Sequence, residues 1–351
     1  MKNPNILFTG VNRAELVDRP IPDVGRGQVR VKLVRSTISA GTERANVTGC
    51  NVVSIWDPPD APVVWPRQSG YSSAGLVDAV GEDVTSVVVG DRVAVSWSKH
   101  SQFVVVPENQ VCKLPDGVLF EEGAFAHIAT FPMAAIRKCR LELGESALVM
   151  GQGILGQLAV MLLKCAGAVP VIAADPIAEK RTESLRLGAD LAVDPTASDF
   201  REKVLAACPL EDSGIYKGSH ASGVKVAIEV TGVGAGLDSA LDVMAPMGRV
   251  ALLGCTRNSD FSIDYYHKVH GRGISLIGAH TWARPSFESS SGRFTHRDDV
   301  KTFLNLLAMS RLSIKGFVKD VCPPAQCGDI YRRLAGGGAF PITQFDWRAE
   351  S

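Results

Sequence analysis

The chain has 351 residues, 46% apolar and 21% charged, with 37 basic and 37 acidic side chains and hence no formal net charge. That length suffices for about two domains with sizeable cores. The charge balance lacks the basic excess that nucleic acid or an acidic membrane surface would select, so neither partner is expected.

The opening Met1-Lys2-Asn3-Pro4-Asn5 carries no apolar run of the secretory kind, and a cytoplasmic protein is expected. Residues 1–110 read as β-rich. Gln28 to Val34 alternates polar and apolar residues as a half-buried strand does. Ser73–Val80, Asp91–Trp97 and Gln102–Pro107 are further short strands, separated by turns at Gly81 and Gly90-Asp91. From about Glu121 strands alternate with helices. Strands are predicted at Ser146–Met150, Pro170–Ala174, Leu191–Asp194, Val224–Val230, Gly248–Gly254 and Ile274–Ile277. Helices fall at Ile154–Ala166, Ala178–Leu187, Phe200–Ala207 and Leu237–Met244. This alternation predicts an α/β protein with a doubly wound parallel sheet. Gln157, Lys164 and Pro170 break the apolar stretch Ile154–Ala174 into helix and strand, which argues against a membrane span. Arg284–Arg297 reads as loop, followed by helices at Asp298–Met309 and Cys327–Leu334. The cysteines at 50, 112, 139, 165, 208, 255, 322 and 327 show no metal-type or disulfide-type spacing, so reduced thiols are expected.

The strand ending at Met150 runs into Gly151-Gln152-Gly153-Ile154-Leu155-Gly156, and Asp175 closes the next strand. Each glycine has a task. Gly151 permits the tight turn, Gly153 lets backbone approach a pyrophosphate, and Gly156 lets the helix pack on the strand. The free N–H groups of the helix N-terminus favour phosphate. Asp175 can accept both hydroxyls of an adenosine ribose, which favours NAD over NADP. Arg181 is placed to stack on adenine or to solvate a helix face. Thr231, Gly232 and Gly254 follow predicted strands, at the sheet edge where a parallel sheet opens its crevice.

The whole chain resembles the medium-chain dehydrogenase/reductase superfamily, and most of all its zinc-type alcohol, sorbitol and threonine dehydrogenase branch. The resemblance rests on Ala40-Gly41-Thr42-Glu43, Gly70-Tyr71-Ser72-Ser73-Ala74-Gly75, Gly90-Asp91-Arg92-Val93, Glu122-Gly123-Ala124, the glycine turn with Asp175 and Arg181, and Leu187-Gly188-Ala189-Asp190. It implies a GroES-like, β-rich catalytic domain (1–120, completed by 285–351) and a Rossmann NAD(P)-binding domain (121–284), with the active site in the cleft between them. It also implies a homodimer or homotetramer joined through the strand near Ile274–Ile277.

The zinc ligands of that branch are replaced. Ala40 stands where the first ligand cysteine is found, Tyr71 where the ligand histidine is, and the third position falls on or near His127. The cysteine-rich lobe is missing between Val95 and Phe103. No bound metal is expected, since a catalytic zinc takes three protein ligands. Proton handling then falls to hydrogen-bonding side chains. The resemblance makes Thr42 the proton relay. Tyr71 is either a donor to a substrate oxygen or a plug for the vacated metal cavity. His127 is either a proton acceptor or a packed helix-start histidine, and Glu43 either a supporting acid or the partner of an arginine. Arg44, His100, His270 and His280 are further candidate contacts, more in keeping with surface or loop roles. The expected activity is NAD-dependent hydride transfer between nicotinamide and a small secondary alcohol or ketone, such as a sugar or polyol ring. Alternatives are a zinc-independent reductase of an activated C=C bond and a non-catalytic dinucleotide sensor.

Overall fold

A computed structural model describes every residue except 1, 59, 209–221, 258, 260 and 351. The chain divides into two compact units, Met1–Ile128 with Val300–Ser351, and Ala129–Asp299.

In chain order the first unit opens with a hairpin of β1 (Lys2–Gly10) and β2 (Arg13–Pro20). There follow β3 (Gln28–Thr37), α1 (Ala40–Val47), β4 (Ser72–Val80), β5 (Arg92–Ser96), β6 (Phe103–Pro107), β7 (Val111–Lys113), α2 (Phe120–Gly123) and the start of α3 (Ala126–Lys138). Strands β3 to β6 lie within one or two residues of prediction, apart from a longer C-terminal end of β3. Helix α1 was not foreseen, for a clear reason. Its buried residues are Glu43 and Val47, so it has no apolar stripe to betray it.

The second unit holds β8 (Ala147–Met150), α4 (Ile154–Cys165), β9 (Val171–Ala174), α5 (Ala178–Arg186), β10 (Leu191–Val193), α6 (Phe200–Ala207), β11 (Val224–Glu229), α7 (Gly234–Asp242), β12 (Met244–Leu252) and β13 (Ser275–Gly278). The strands are all parallel and order β10-β9-β8-β11-β12-β13. The order reverses between β8 and β11, so the ligand crevice of such a sheet lies beyond the C-terminal ends of those two strands. β12 begins at Met244, ahead of the predicted Gly248. Pro246 has no N–H to give a neighbour, and Met247 sits at φ 60°, which hides the strand pattern there.

Beyond α8 (His296–Ala308) the chain returns to the first unit. It adds β14 (Asp320–Cys322), α9 (Cys327–Ala335) and β15 (Thr343–Asp346), giving a seven-stranded sheet ordered β14-β15-β3-β4-β5-β7, with β6 on β3. This return segment also fills the first core. Tyr331, Phe345 and Trp347 are fully buried, and Tyr331 meets Phe8 edge-on at 4.7 Å. No helix among the described residues is long and apolar enough to cross a membrane. Burial pushes the Cys139 thiol up to about 12 and the Cys208 thiol up to about 11, which makes both poor nucleophiles.

Candidate active site

The glycine turn lies at the switch point of the parallel sheet. Gly151 sits at φ 94°, which a side chain would strain, and a Cβ there would lie 2.8 Å from Thr231 Cγ2. A Cβ on Gly156 would lie 1.8 Å from the Gly151 carbonyl oxygen, so this glycine sets how closely α4 approaches β8. Gly153, the N-cap of α4, has no atom within 4 Å of where a Cβ would stand. Open space over Gly153, ahead of Ile154 and Leu155 and the free N–H groups of α4, fits a dinucleotide pyrophosphate.

Asp175 is 4% exposed and braces this turn. One carboxylate oxygen accepts the Gln152 N–H at 2.8 Å and the other the Ile177 N–H at 2.9 Å. Lys180 Nζ stands 3.5 Å away. Gln152 is itself fixed, by its own amide to the Val149 carbonyl at 2.9 Å and by the Ser184 hydroxyl to its side-chain oxygen at 2.9 Å. Arg181 makes contacts that its sequence position does not announce. Its Nη1 donates to the Asp175 and Pro176 carbonyls and to Asp194, a clamp on the loop after β9.

Across the switch point, Glu229 at the end of β11 organises the next turn, a role the sequence reading missed. Its Oε1 accepts the Thr231 N–H at 2.7 Å and the Thr231 hydroxyl, and the Gly232 N–H lies 3.2 Å from both oxygens. A Cβ on Gly254 would lie 2.2 Å from the Gly232 nitrogen, so these two glycines let adjacent loop backbones touch. Burial pushes the Glu229 carboxyl above its usual 4.5, although these donors pull the other way. The folded state therefore keeps this proton to higher pH than the unfolded chain. Its contribution to stability falls as pH rises from 4.5 through the raised value. Glu229→Gln is expected to remove that slope, read as melting temperature against pH.

The candidate catalytic residues gather in the first unit around Ser39, the N-cap of α1. The Tyr71 hydroxyl donates to Ser39 Oγ, and the Ser39 N–H donates to Glu43 Oε1 at 2.8 Å. Glu43 is fully buried, and its partners are not the expected arginine. They are His100 Nε2, at 3.1 Å and 3.2 Å from its two oxygens, and the Tyr331 hydroxyl. Burial and the Glu43 charge raise the Tyr331 phenol far above its usual range, so it stays a donor. His100 is no surface histidine: it is 1% exposed, and its Nδ1 lies 2.8 Å from Ser36 Oγ, which also accepts Trp347 Nε1 at 2.8 Å. Gly70, at φ 99°, makes room for it, since a Cβ there would lie 2.7 Å from the His100 nitrogen and 2.9 Å from its ring.

The Tyr71 ring leans edge-on against His127 at 5.3 Å, and Trp97 covers His127 at 4.3 Å. His127 is 1% exposed, so its ring is packed among aromatics and not open to solvent. Trp97 adopts φ 58°, a costly conformation for a bulky residue, which marks its ring as held in place. Thr42, half-buried in the first turn of α1, accepts the Asn46 amide with its carbonyl at 2.9 Å. Arg44 is exposed on the same helix. In the second unit His270 stacks on Tyr266, and His280 Nδ1 accepts the Trp282 N–H, both away from this cluster in sequence and fold unit.

Ala40, Tyr71 and His127 do not fit a catalytic zinc ion. Ala40 has no donor atom, so the three positions supply at most two ligands where a catalytic zinc takes three. Among the described residues no group of three or more His, Cys, Asp or Glu side chains is arranged to hold a metal.

The family model of the alcohol dehydrogenase GroES-like domain matches residues 25–140, and that of the zinc-binding dehydrogenases matches 155–295. The chain belongs to the medium-chain dehydrogenase/reductase superfamily. Within it, the chain is 25% identical to the L-threonine 3-dehydrogenase of Pyrococcus furiosus, over 77% of this chain and 81% of that protein. It is 26% identical to the D-guloside 3-dehydrogenase of Escherichia coli, over 75% of this chain and 72% of that one. The fold of an Escherichia coli alcohol dehydrogenase crystallised with NADH matches this member of the superfamily at a TM-score of 0.79, with 20% identity over 99% of both chains.

Proposed function

We propose that the protein is a dehydrogenase that moves a hydride between NAD and a secondary alcohol or ketone, without a catalytic zinc. The observation that carries this reading is a complete dinucleotide turn in a chain whose metal-ligand positions hold a hydrogen-bonded phenol, a packed histidine and an alanine. Gly151, Gly153 and Gly156, with Ile154 and Leu155, would hold the pyrophosphate, and Asp175 the ribose. A bound nicotinamide supplies the hydride acceptor or donor. Asp175 would also repel a 2′-phosphate, so NAD is expected to exceed NADP in kcat/KM by at least about tenfold.

The chain's own residues handle the proton. In the reducing direction the Tyr71 phenol donates its proton to the oxygen on which negative charge develops, and in the oxidising direction it takes that proton back, while the Thr42 hydroxyl hydrogen-bonds the same oxygen. His127 and Trp97 hold the phenol ring in place. Buried Glu43 keeps the start of α1 in register. The related threonine and guloside dehydrogenases support a substrate with a hydroxyl flanked by polar groups, such as a sugar or polyol ring.

A panel of polyols, cyclic ketones, glycosides and conjugated enones tests this reading with each nicotinamide, alongside elemental analysis and a chelator control. Turnover of ring alcohols or ketones by metal-free protein is expected. Turnover confined to enones, or stoichiometric zinc lost together with activity on chelation, would overturn it. NADH binding without turnover of any member would favour a sensor.

A further inference from the structure

A serine at a helix N-cap ordinarily uses its hydroxyl to accept a free N–H of the first turn. Ser39 makes no such bond. It is 4% exposed, and its Oγ takes the Tyr71 hydroxyl instead. Its place is set from behind by the Glu43 carboxylate on its N–H at 2.8 Å, and that carboxylate is held in turn by His100 and Tyr331. His100 is oriented by Ser36. The Trp347 indole can only donate, so Ser36 Oγ accepts from it, and the same Oγ lies 2.8 Å from His100 Nδ1. His100 Nε2 on the other side of the ring lies 3.1 Å from Glu43 Oε2. A buried chain of hydrogen bonds thus runs from Trp347 through Ser36, His100 and Glu43 to Ser39, and ends on the phenol placed among the candidate catalytic residues.

We propose that Ser39 is the hydroxyl partner of Tyr71 in proton transfer, and that Glu43 and His100 are its positioning residues. The inference rests on the function proposed above. In ketone reduction the hydride supplies the electron pair for the new C–H bond, the Tyr71 O–H bond breaks, and the proton forms the substrate O–H. Ser39 Oγ–H then turns to donate to the phenolate left behind, and the two hydroxyls turn back when the proton is regained. His127 faces the Tyr71 ring, while Glu43, His100 and Tyr331 stand behind Ser39.

Ser39→Ala and Ser39→Thr test this in the full-length protein, with fluorotyrosine at position 71 read by fluorine NMR and Tyr71→Phe to assign the signal. Ser39→Ala is expected to lower kcat by about tenfold, roughly one lost hydrogen bond to the transition state. KM and NADH affinity should stay within about twofold, and the Tyr71 phenol should titrate at higher pH. Ser39→Thr, which keeps the hydroxyl, should restore most of both. His100→Leu should move the Tyr71 titration in the same direction, and His100→Gln, which can still donate to Glu43, less so. A Tyr71 titration that Ser39→Ala leaves unmoved overturns the proposal. Failure of the functional reading would show differently, as wild-type protein that binds NADH, titrates Tyr71 and turns over nothing.

Discussion

Gly156→Ala is expected to destabilise the nucleotide-binding unit by roughly 3 kcal/mol, the upper part of the range for overpacked sites, and to abolish NADH binding. The added methyl would stand 1.8 Å from the Gly151 carbonyl oxygen and 2.9 Å from its carbon. Both are backbone, so no side chain can swing aside. α4 must lift from β8, and Gly151 is the residue whose φ of 94° shapes the turn. The partner experiment is Gly153→Ala. Nothing lies within 4 Å of that methyl, and the backbone at φ −78° and ψ −169° suits alanine. This variant should melt with the wild type and yet bind NADH at least about tenfold more weakly, because only the ligand needs that space. Thermal melts and fluorescence titration of both variants separate a glycine kept for packing from one kept for the cofactor. Equal melting of both would overturn the assignment of Gly156 to helix–strand contact.

Glu43→Leu is expected to cost the first unit roughly 3–5 kcal/mol, since three buried donors lose their acceptor at about 1–3 kcal/mol each. The carboxylate serves the Ser39 N–H, His100 Nε2–H and the Tyr331 hydroxyl with no contact to solvent. Leucine leaves all three donors without their acceptor. Glu43→Gln keeps one acceptor oxygen but turns an amide N–H₂ toward a donor, so a smaller loss of about 1–3 kcal/mol is expected. The measurement is denaturant unfolding followed by the fluorescence of Trp347, which is fully buried and linked to the same chain of bonds through Ser36. A Glu43→Leu protein as stable as the wild type would mean that the carboxylate contributes nothing that packing cannot replace.

Much of the nucleotide-binding unit was legible in the sequence. Its central strands β8, β9 and β11 are buried at nearly every residue and read as short apolar runs, and its glycine turn needs particular residues at fixed spacing because backbone must meet backbone. The order Gly151, Gly153, Gly156, Asp175 thus carried the fold before any coordinate did. Of the positions where the resemblance puts metal ligands, Ala40, Tyr71 and His127, only Ala40 could be read from the sequence as lacking a donor atom.

Only the tertiary structure decided what stands in their place. Glu43 and His100 are 57 residues apart, and Glu43 and Tyr331 are 288 apart. No periodicity links residues at such separations. The strands β3, β4 and β5 and the returning α9 bring them together. Helix α1 hid because its buried face carries an acid, and His100 read as a loop residue because five residues from Trp97 to Ser101 have no pattern of their own. Local propensity and spacing determine which elements form and where a backbone can approach a ligand. Which polar groups become partners is settled by burial, since a donor or acceptor removed from water must find its complement among whatever side chains the fold delivers there.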